Sequence, residues 1–299
     1  MSMTPSPAVA RPRILGVSHI ALYVSDVAQS RAFYKEFLGY GEPWQLDRED
    51  GSLELICIKI NDRQYIELYP GLRPDQDRLH HFAFYVDDAE AMRTYLESRG
   101  VVVPDRVRRG RIGTSFFGVT DPEGHAVEFV QYEPDSWVVR DQGKFLGEDR
   151  LSGRMSHVGF LVGNYSASMA FYSDILGFTE TWRGAARNSE TVSWTNLRLP
   201  DSNDYIEFML YSVEPAPDQR GEENHLCLEV PDMARTVAQL EARPSRSNYP
   251  REIGVRTGIN RKRQVNLFGP DGTRVELMEV QTIDGMPAPA STLPLPTRK

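Results

Sequence analysis

Cysteine is nearly absent. Cys57 and Cys227 are the only two in 299 residues, too few for a disulfide framework. Both lie in apolar, strand-like runs in different parts of the chain, so reduced thiols are expected. No apolar run approaches the roughly 20 residues that span a bilayer. The opening MSMTPSPAVARPRI lacks an apolar core of signal-peptide length, and a cytoplasmic location is the expectation. Basic charge is also scarce. The net charge is -8, and RVRRGR (Arg106 to Arg111) and RKR (Arg261 to Arg263) are the only basic clusters. Read as solvated loop charge, they argue against nucleic acid and anionic membranes as partners. Histidine is sparse too, with six in all, so its placement carries information.

What the chain does have is repetition. SHIALYVSDVAQSRAFYKEFLGY, from Ser18 to Tyr40, reads as a strand, a turn, a helix and a stop. HIALYV is short and rich in strand formers. Ser25 and Asp26 offer helix caps, Val27, Phe33, Tyr34 and Phe37 take helical spacing, and Gly39 suits a left-handed end. The unit recurs as HVGFLVGNYSASMAFYSDILGF from His157. Weaker copies begin at His81 (HFAFYVDDAEAMRTYLESRG) and His225 (HLCLEVPDMARTVAQLEAR). Four modules each open with a histidine on a strand, and such internal repetition governs the fold.

The expected organisation is two domains of two modules each. Residues 1–13 are expected to be disordered, 14–135 to form the first domain, 136–153 a linker, 154–281 the second domain, and 282–299 a Pro-rich, extended or disordered tail. Each module ends in strands, and one of these places a glutamate among apolar neighbours: Glu67, Glu128, Glu207 and Glu276.

Alternating strand positions share a face. His19 therefore shares a face with Ala21 and Tyr23, while Ile20, Leu22 and Val24 face the core. Two residues beyond the other three histidines stand Ala83, Gly159 and Cys227, small enough to leave room for a ligand. A single histidine opening a strand is ordinarily structural, and a single strand glutamate ordinarily solvated. Here His19, Glu67, His81 and Glu128 in one half, and His157, Glu207, His225 and Glu276 in the other, fall in a fourfold register. Buried carboxylates without partners are costly, and a divalent transition metal at each site (Fe, Ni, Zn, Co or Mn) accounts for them. His80 and His125 lie outside the register. Tyr65, Tyr69, Tyr205 and Cys227 are the candidate substrate-pocket residues, with Trp194 adding aromatic character.

These motifs, with YIELY, DPEGHAVEF, YIEF and GPDGTRVEL, resemble those of the vicinal oxygen chelate superfamily, from about Gly16 to Val280. The superfamily includes glyoxalase I, extradiol dioxygenases and the fosfomycin- and bleomycin-resistance proteins. The resemblance implies an α+β fold of four βαβββ modules, paired into two half-barrel domains. It also implies a glyoxalase-type isomerase or lyase acting on a small molecule that chelates the metal through neighbouring oxygens. The base would then be Glu67 or Glu128 in the first half and Glu207 or Glu276 in the second, and a homodimer is compatible with this reading.

An Fe(II)-dependent extradiol-like dioxygenase is the alternative, with His157, His225 and Glu276 as its triad. Against it, Asn266 and Gly269 stand where that group has a tyrosine and a turn aspartate, Gly118 takes the tyrosine position in the first half, and the C-terminal half has no spare histidine. A metal-free drug-binding protein is the third reading. Which modules pair to form a site, one with two and three with four, or one with four and two with three, is open at this level.

Overall fold

The computed structural model describes residues 9–298. The expectation of disorder for residues 1–8 lies outside the described residues. Among the described residues sixteen strands form two eight-stranded sheets. The first contains β1 (Ile14–Val24), β2 (Gln45–Asp47), β3 (Leu53–Lys59), β4 (Tyr65–Pro70), β5 (Leu79–Val86), β6 (Arg108–Arg109), β7 (Ser115–Thr120) and β8 (Ala126–Gln131), in the order β2-β3-β4-β1-β5-β8-β7-β6. The second repeats the order with β9 (Met155–Val162), β10 (Thr179–Gly184), β11 (Trp194–Arg198), β12 (Tyr205–Leu210), β13 (His225–Val230), β14 (Arg256–Thr257), β15 (Lys262–Phe268) and β16 (Arg274–Thr282). Modules one and two thus share one curled sheet, and three and four the other, as expected for an α+β pair of half-barrels.

Each module helix starts where the sequence offers an N-cap. Asp26, Asp88, Asn164 and Asp232 accept backbone bonds at the heads of α1 (Val27–Arg31), α2 (Ala89–Ser98), α4 (Tyr165–Met169) and α5 (Met233–Glu241); losing such a cap costs about 1 kcal/mol. The helices after β1 and β9 finish in a wider turn. Leu38 N–H bonds Phe33 O at 2.9 Å and Leu176 N–H bonds Phe171 O at 3.1 Å, a π-helical spacing that buries Phe33, Tyr34, Phe171 and Tyr172. Gly39 ends the first at φ +83, where a side chain would also overlap Asp149.

The helices reach across the domain boundary. Phe37 stacks on Tyr249 at 4.7 Å, and the Tyr172 hydroxyl donates to Asp121 Oδ2 at 2.8 Å. So helix one packs on module four and helix three on module two. Between the sheets Phe82 stacks on Phe160 at 4.6 Å, and Ile20, Leu22 and Val24 join the same apolar core.

Three connecting segments are better fixed than their composition suggests. Arg11 donates to Asp201 at 3.1 Å and the Arg13 amide to Asp87 at 2.9 Å. Within 136–153, α3 (Trp137–Arg140) buries Val138 beside Cys57 and Tyr65. The Pro-rich tail is extended and lies on its own domain, with Ser291 N–H bonding Arg183 O at 2.8 Å and Val192 N–H bonding Pro294 O at 2.9 Å.

Candidate metal centre

Four adjacent central strands of each sheet carry the four registered residues. Across the first sheet the order is Glu67 on β4, His19 on β1, His81 on β5 and Glu128 on β8; across the second it is Glu207, His157, His225 and Glu276. Pairing sets the spacing. His19 lies opposite Ala83 and His81 opposite Ala21; His157 lies opposite Cys227 and His225 opposite Gly159. The small residue beside each histidine lets the two rings meet on the diagonal. A side chain on Gly159 would overlap the His225 ring.

In the N-terminal cluster His19 Nε2 and His81 Nε2 are 2.9 Å apart, and in the C-terminal cluster His157 Nε2 and His225 Nε2 are 3.1 Å apart. Glu67 and Glu128 each bring Oε2 within 3.9 Å of both N-terminal nitrogens. Glu207 and Glu276 do the same in the second cluster, at 3.5–3.9 Å. In the C-terminal set all four ligand atoms lie within 4.8 Å of one another, and in the N-terminal set those of His19, His81 and Glu128 do. This decides the pairing: both clusters form within a half of the chain, not between halves.

The surrounding hydrogen bonds fix which ring nitrogen holds the proton. Tyr132 OH gives its hydrogen to Arg63 O at 2.6 Å, so it accepts from Ser18 Oγ at 2.7 Å. Ser18 then has only a lone pair for His19 Nδ1, 2.9 Å away, and His19 carries its proton on Nδ1. His225 Nδ1–H donates to Glu223 O at 2.7 Å. Ser156 gives its hydrogen to Cys227 O and so accepts from His157 Nδ1 at 3.4 Å. The two C-terminal rings therefore face each other with bare Nε2 lone pairs. Two nitrogens bound to one ion at about 2.1 Å and at right angles stand about 3.0 Å apart. The donor set fits a divalent transition metal in chemistry and in spacing.

Electrostatics agrees with the need for a cation. Burial first, and His80 second, lower His19 to about 3; burial and then the Arg274 charge lower His225 to about 3. Burial raises Glu67 to about 7, and burial plus the Glu67 charge raises Glu128 to about 8. In the second cluster the carboxylates split. Burial pushes Glu207 up, whereas for Glu276 the Arg274 charge opposes burial and the carboxylate is held low.

A cavity of about 280 Å³ opens on the N-terminal cluster, lined by Trp44, Tyr65, Tyr69, Glu67 and Arg108. Glu128 and His81 also border a second opening of about 760 Å³. The C-terminal cavity is about 370 Å³ and includes Trp182, Trp194, Arg256, Arg274, Glu207 and Glu276. Tyr65 stacks on His19 at 4.6 Å, Tyr69 donates to Glu67 Oε2 at 3.0 Å, and both line the N-terminal cavity. Tyr205 is half-buried and packs against His157 at 4.4 Å, and Cys227 is fully buried between strands, its thiol pushed up by burial. Neither lines the C-terminal cavity.

Sequence reading missed the arginines. Arg109 and Arg111 do pair with Asp135 and Glu54, but Arg108 lines the N-terminal cavity, and Arg256 lines the other from the matching edge strand. The usable signal was their equal spacing ahead of Glu128 and Glu276. His80 stacks between Tyr23 and Tyr69 at 4.6 and 4.4 Å and touches His81 Nδ1 at 2.8 Å, beside the cluster but outside it. His125 is held by Asp121 at 3.0 Å, a structural role. Among the described residues no helix is long and apolar enough to cross a membrane.

Comparison with known proteins places this architecture. The model of the Glyoxalase/Bleomycin resistance protein/Dioxygenase superfamily matches residues 16–129 and again 154–277. Uncharacterized protein YaeR of Escherichia coli (strain K12) is 36% identical over 126 residues, covering 38% of this chain and 95% of that protein. Uncharacterized protein YwbC of Bacillus subtilis (strain 168) is 26% identical over 121 residues, covering 38% and 96%. Among solved structures, the Mn(II)-bound glyoxalase from Novosphingobium aromaticivorans superposes with a TM-score of 0.67 at 17% identity, covering 90% of this chain and 83% of that one. The 2,3-dioxygenase LapB from Pseudomonas sp. KL28 gives 0.66 at 18% identity, covering 93% and 97%. At these identities the structural matches speak for the fold alone. Since one family model accounts for both halves, the chain belongs to the Glyoxalase/Bleomycin resistance protein/Dioxygenase superfamily.

Proposed function

We propose that this protein is a divalent-metal-dependent enzyme of glyoxalase type, moving a proton between neighbouring carbons of a small substrate with vicinal oxygens. The observation that carries the reading is the C-terminal pair of Nδ1-protonated imidazoles, whose Nε2 atoms stand 3.1 Å apart between two buried carboxylates. His157, His225 and Glu276 are assigned as holding the ion, with Glu207 beside it; His19, His81 and Glu128 hold the other, with Glu67 beside it. When bound, the metal would supply Lewis-acid polarisation of a substrate oxygen and make the adjacent C–H more acidic.

The chain's own residues supply the rest. Glu276 is held low and stays ionised, while burial pushes Glu207 up into the range where a carboxylate accepts and returns a proton. Glu67, raised to about 7, is the equivalent base in the first domain. The Tyr69 hydroxyl, 3.0 Å from Glu67 Oε2, orients that carboxylate and stabilises its charge. Trp182 and Trp194, or Trp44 and Tyr65, wall a cavity sized for a small organic molecule and exclude water.

Ring cleavage is the second reading, favoured by the near full-length match to LapB. It is weakened by Asn266, whose side-chain oxygen is buried without a partner where that group has a tyrosine.

Elemental analysis of purified protein, then reloading with Ni, Co, Zn, Mn or Fe(II), tests the proposal. Uptake by both clusters with turnover of a 2-oxoaldehyde or its hemithioacetal is expected. Oxygen consumption with a catechol in place of that turnover would support the second reading. No metal uptake would overturn both and leave a binding protein.

A further inference from the structure

Two residues before the last glutamate, on the same strand face, the N-terminal domain has Ala126, which borders only the second opening, and the C-terminal domain has Arg274, which lines the C-terminal cavity. Arg274 Nη2 lies 2.8 Å from His225 Nδ1 and 3.2 Å from Nε2. One nitrogen this close to both ring nitrogens sits over the face of the imidazole, not at the end of a lone pair. His225 is thus held between the guanidinium and the bare backbone of Gly159.

This contact leaves the guanidinium unspent. Its Nε is buried with no hydrogen-bond partner, and its one other polar contact is Met209 Sδ at 3.9 Å. The charged groups around it are Glu207, Glu223 and Glu276, yet none forms an ion pair with it. Arg187 and Arg256 line the same cavity, and neither has an ion-pair partner among the described residues. Two carboxylates neutralise a divalent ion, so the cavity offers further positive charge to whatever enters. In the first domain Arg109 and Arg111 are already paired, Arg108 is the counterpart of Arg256, and no arginine stands at the position of Arg274, which is Ala126.

We propose that Arg274 makes the C-terminal cavity selective for a carboxylate-bearing chelator of the 2-oxo-acid or 2-hydroxy-acid class, while the N-terminal cavity takes an uncharged one. The two domains then serve different substrates. This rests on the metal-site reading above. Arg274 would receive the carboxylate by charge-assisted hydrogen bonds beside the chelating oxygens.

The test uses the full-length chain loaded with Mn(II) and titrated calorimetrically with oxalate and with neutral catechol. His19→Ala/His81→Ala leaves the C-terminal cluster, and His157→Ala/His225→Ala leaves the N-terminal one. Relative to catechol, oxalate should bind the C-terminal cluster at least about tenfold more tightly than the N-terminal one. Arg274→Ala should erase that preference, and Arg274→Lys should keep part of it, with Mn(II) stoichiometry unchanged. If a double variant does not fold, Arg274→Ala in the otherwise intact chain should remove one of the two oxalate binding events. Preference surviving in Arg274→Ala, or equal oxalate affinity at both clusters, overturns the proposal. If no Mn(II) is taken up, the metal reading fails on its own. Oxalate is then titrated into metal-free wild type and Arg274→Ala: binding that depends on Arg274 upholds the assignment, and binding that does not, or none, overturns it.

Discussion

Replacing Glu67 and Glu128 together by glutamine should invert the pH response of the metal-free protein. Folding moves Glu67 from its ordinary 4.5 to about 7, and Glu128 from 4.5 to about 8, mainly through burial. A carboxyl whose folded pKa is raised holds its proton more tightly when folded. Its contribution is therefore fully present below about 4.5 and is lost as pH rises through the folded value. At about 1.4 kcal/mol per pH unit of full linkage, moving from about pH 6 to about pH 8 costs about 1 kcal/mol at Glu67 and about 2 kcal/mol at Glu128, so about 3 kcal/mol in all. The lowered histidines act in the opposite sense, adding stability as pH rises through their unfolded value, but they are common to both proteins. Urea unfolding of chelator-treated wild type and of Glu67→Gln/Glu128→Gln at the two pH values isolates the carboxylates. The variant should gain about 3 kcal/mol on wild type between them. Saturating metal should close that gap for wild type, because a bound cation offsets both charges. A wild-type-minus-variant difference that stays within about 1 kcal/mol across the window would refute the burial argument.

Other outcomes follow from single contacts. Purified or reloaded protein should carry one divalent metal per cluster, and His157→Ala or His19→Ala should each remove one equivalent by elemental analysis. Gly159→Ala should displace the His225 ring, cost about 1–3 kcal/mol by overpacking, and abolish metal binding in the C-terminal half alone. Ala21→Gly, at the equivalent N-terminal position, should leave metal content unchanged. Asp204 joins the domains by accepting from the Val17 amide at 3.0 Å and from Arg154 at 2.9 Å. Asp204→Ala strands the buried Val17 amide, while Arg154 keeps Glu229 at 3.2 Å, and should cost roughly 1–3 kcal/mol in thermal or urea unfolding.

Much of the site was legible in the residues because a strand has a period of two. Once HIALYV was read as a strand, His19 had to oppose the core face of Ile20, Leu22 and Val24, and the same held for each repeat. The glutamates followed from the same alternation, and the helix starts and stops followed from Asp26 and Gly39. Which modules pair was not legible. Four similar modules offer similar strand edges, and only their long-range packing, with helices crossing to the opposite domain through Phe37–Tyr249 and Tyr172–Asp121, selects one arrangement. Nor could alternation say how deep a residue sits. Cys227 shares a face with ligand residues yet is fully buried, whereas Arg108 and Arg256 come from edge strands too short to announce themselves. Arg274 was visible as a neighbour of Glu276 on one face. Its meaning came only with the tertiary structure, which brought His225 under the guanidinium and left no acid close enough to pair with it. Local periodicity determined which side chains point inward, and the closure of each sheet decided which of them meet.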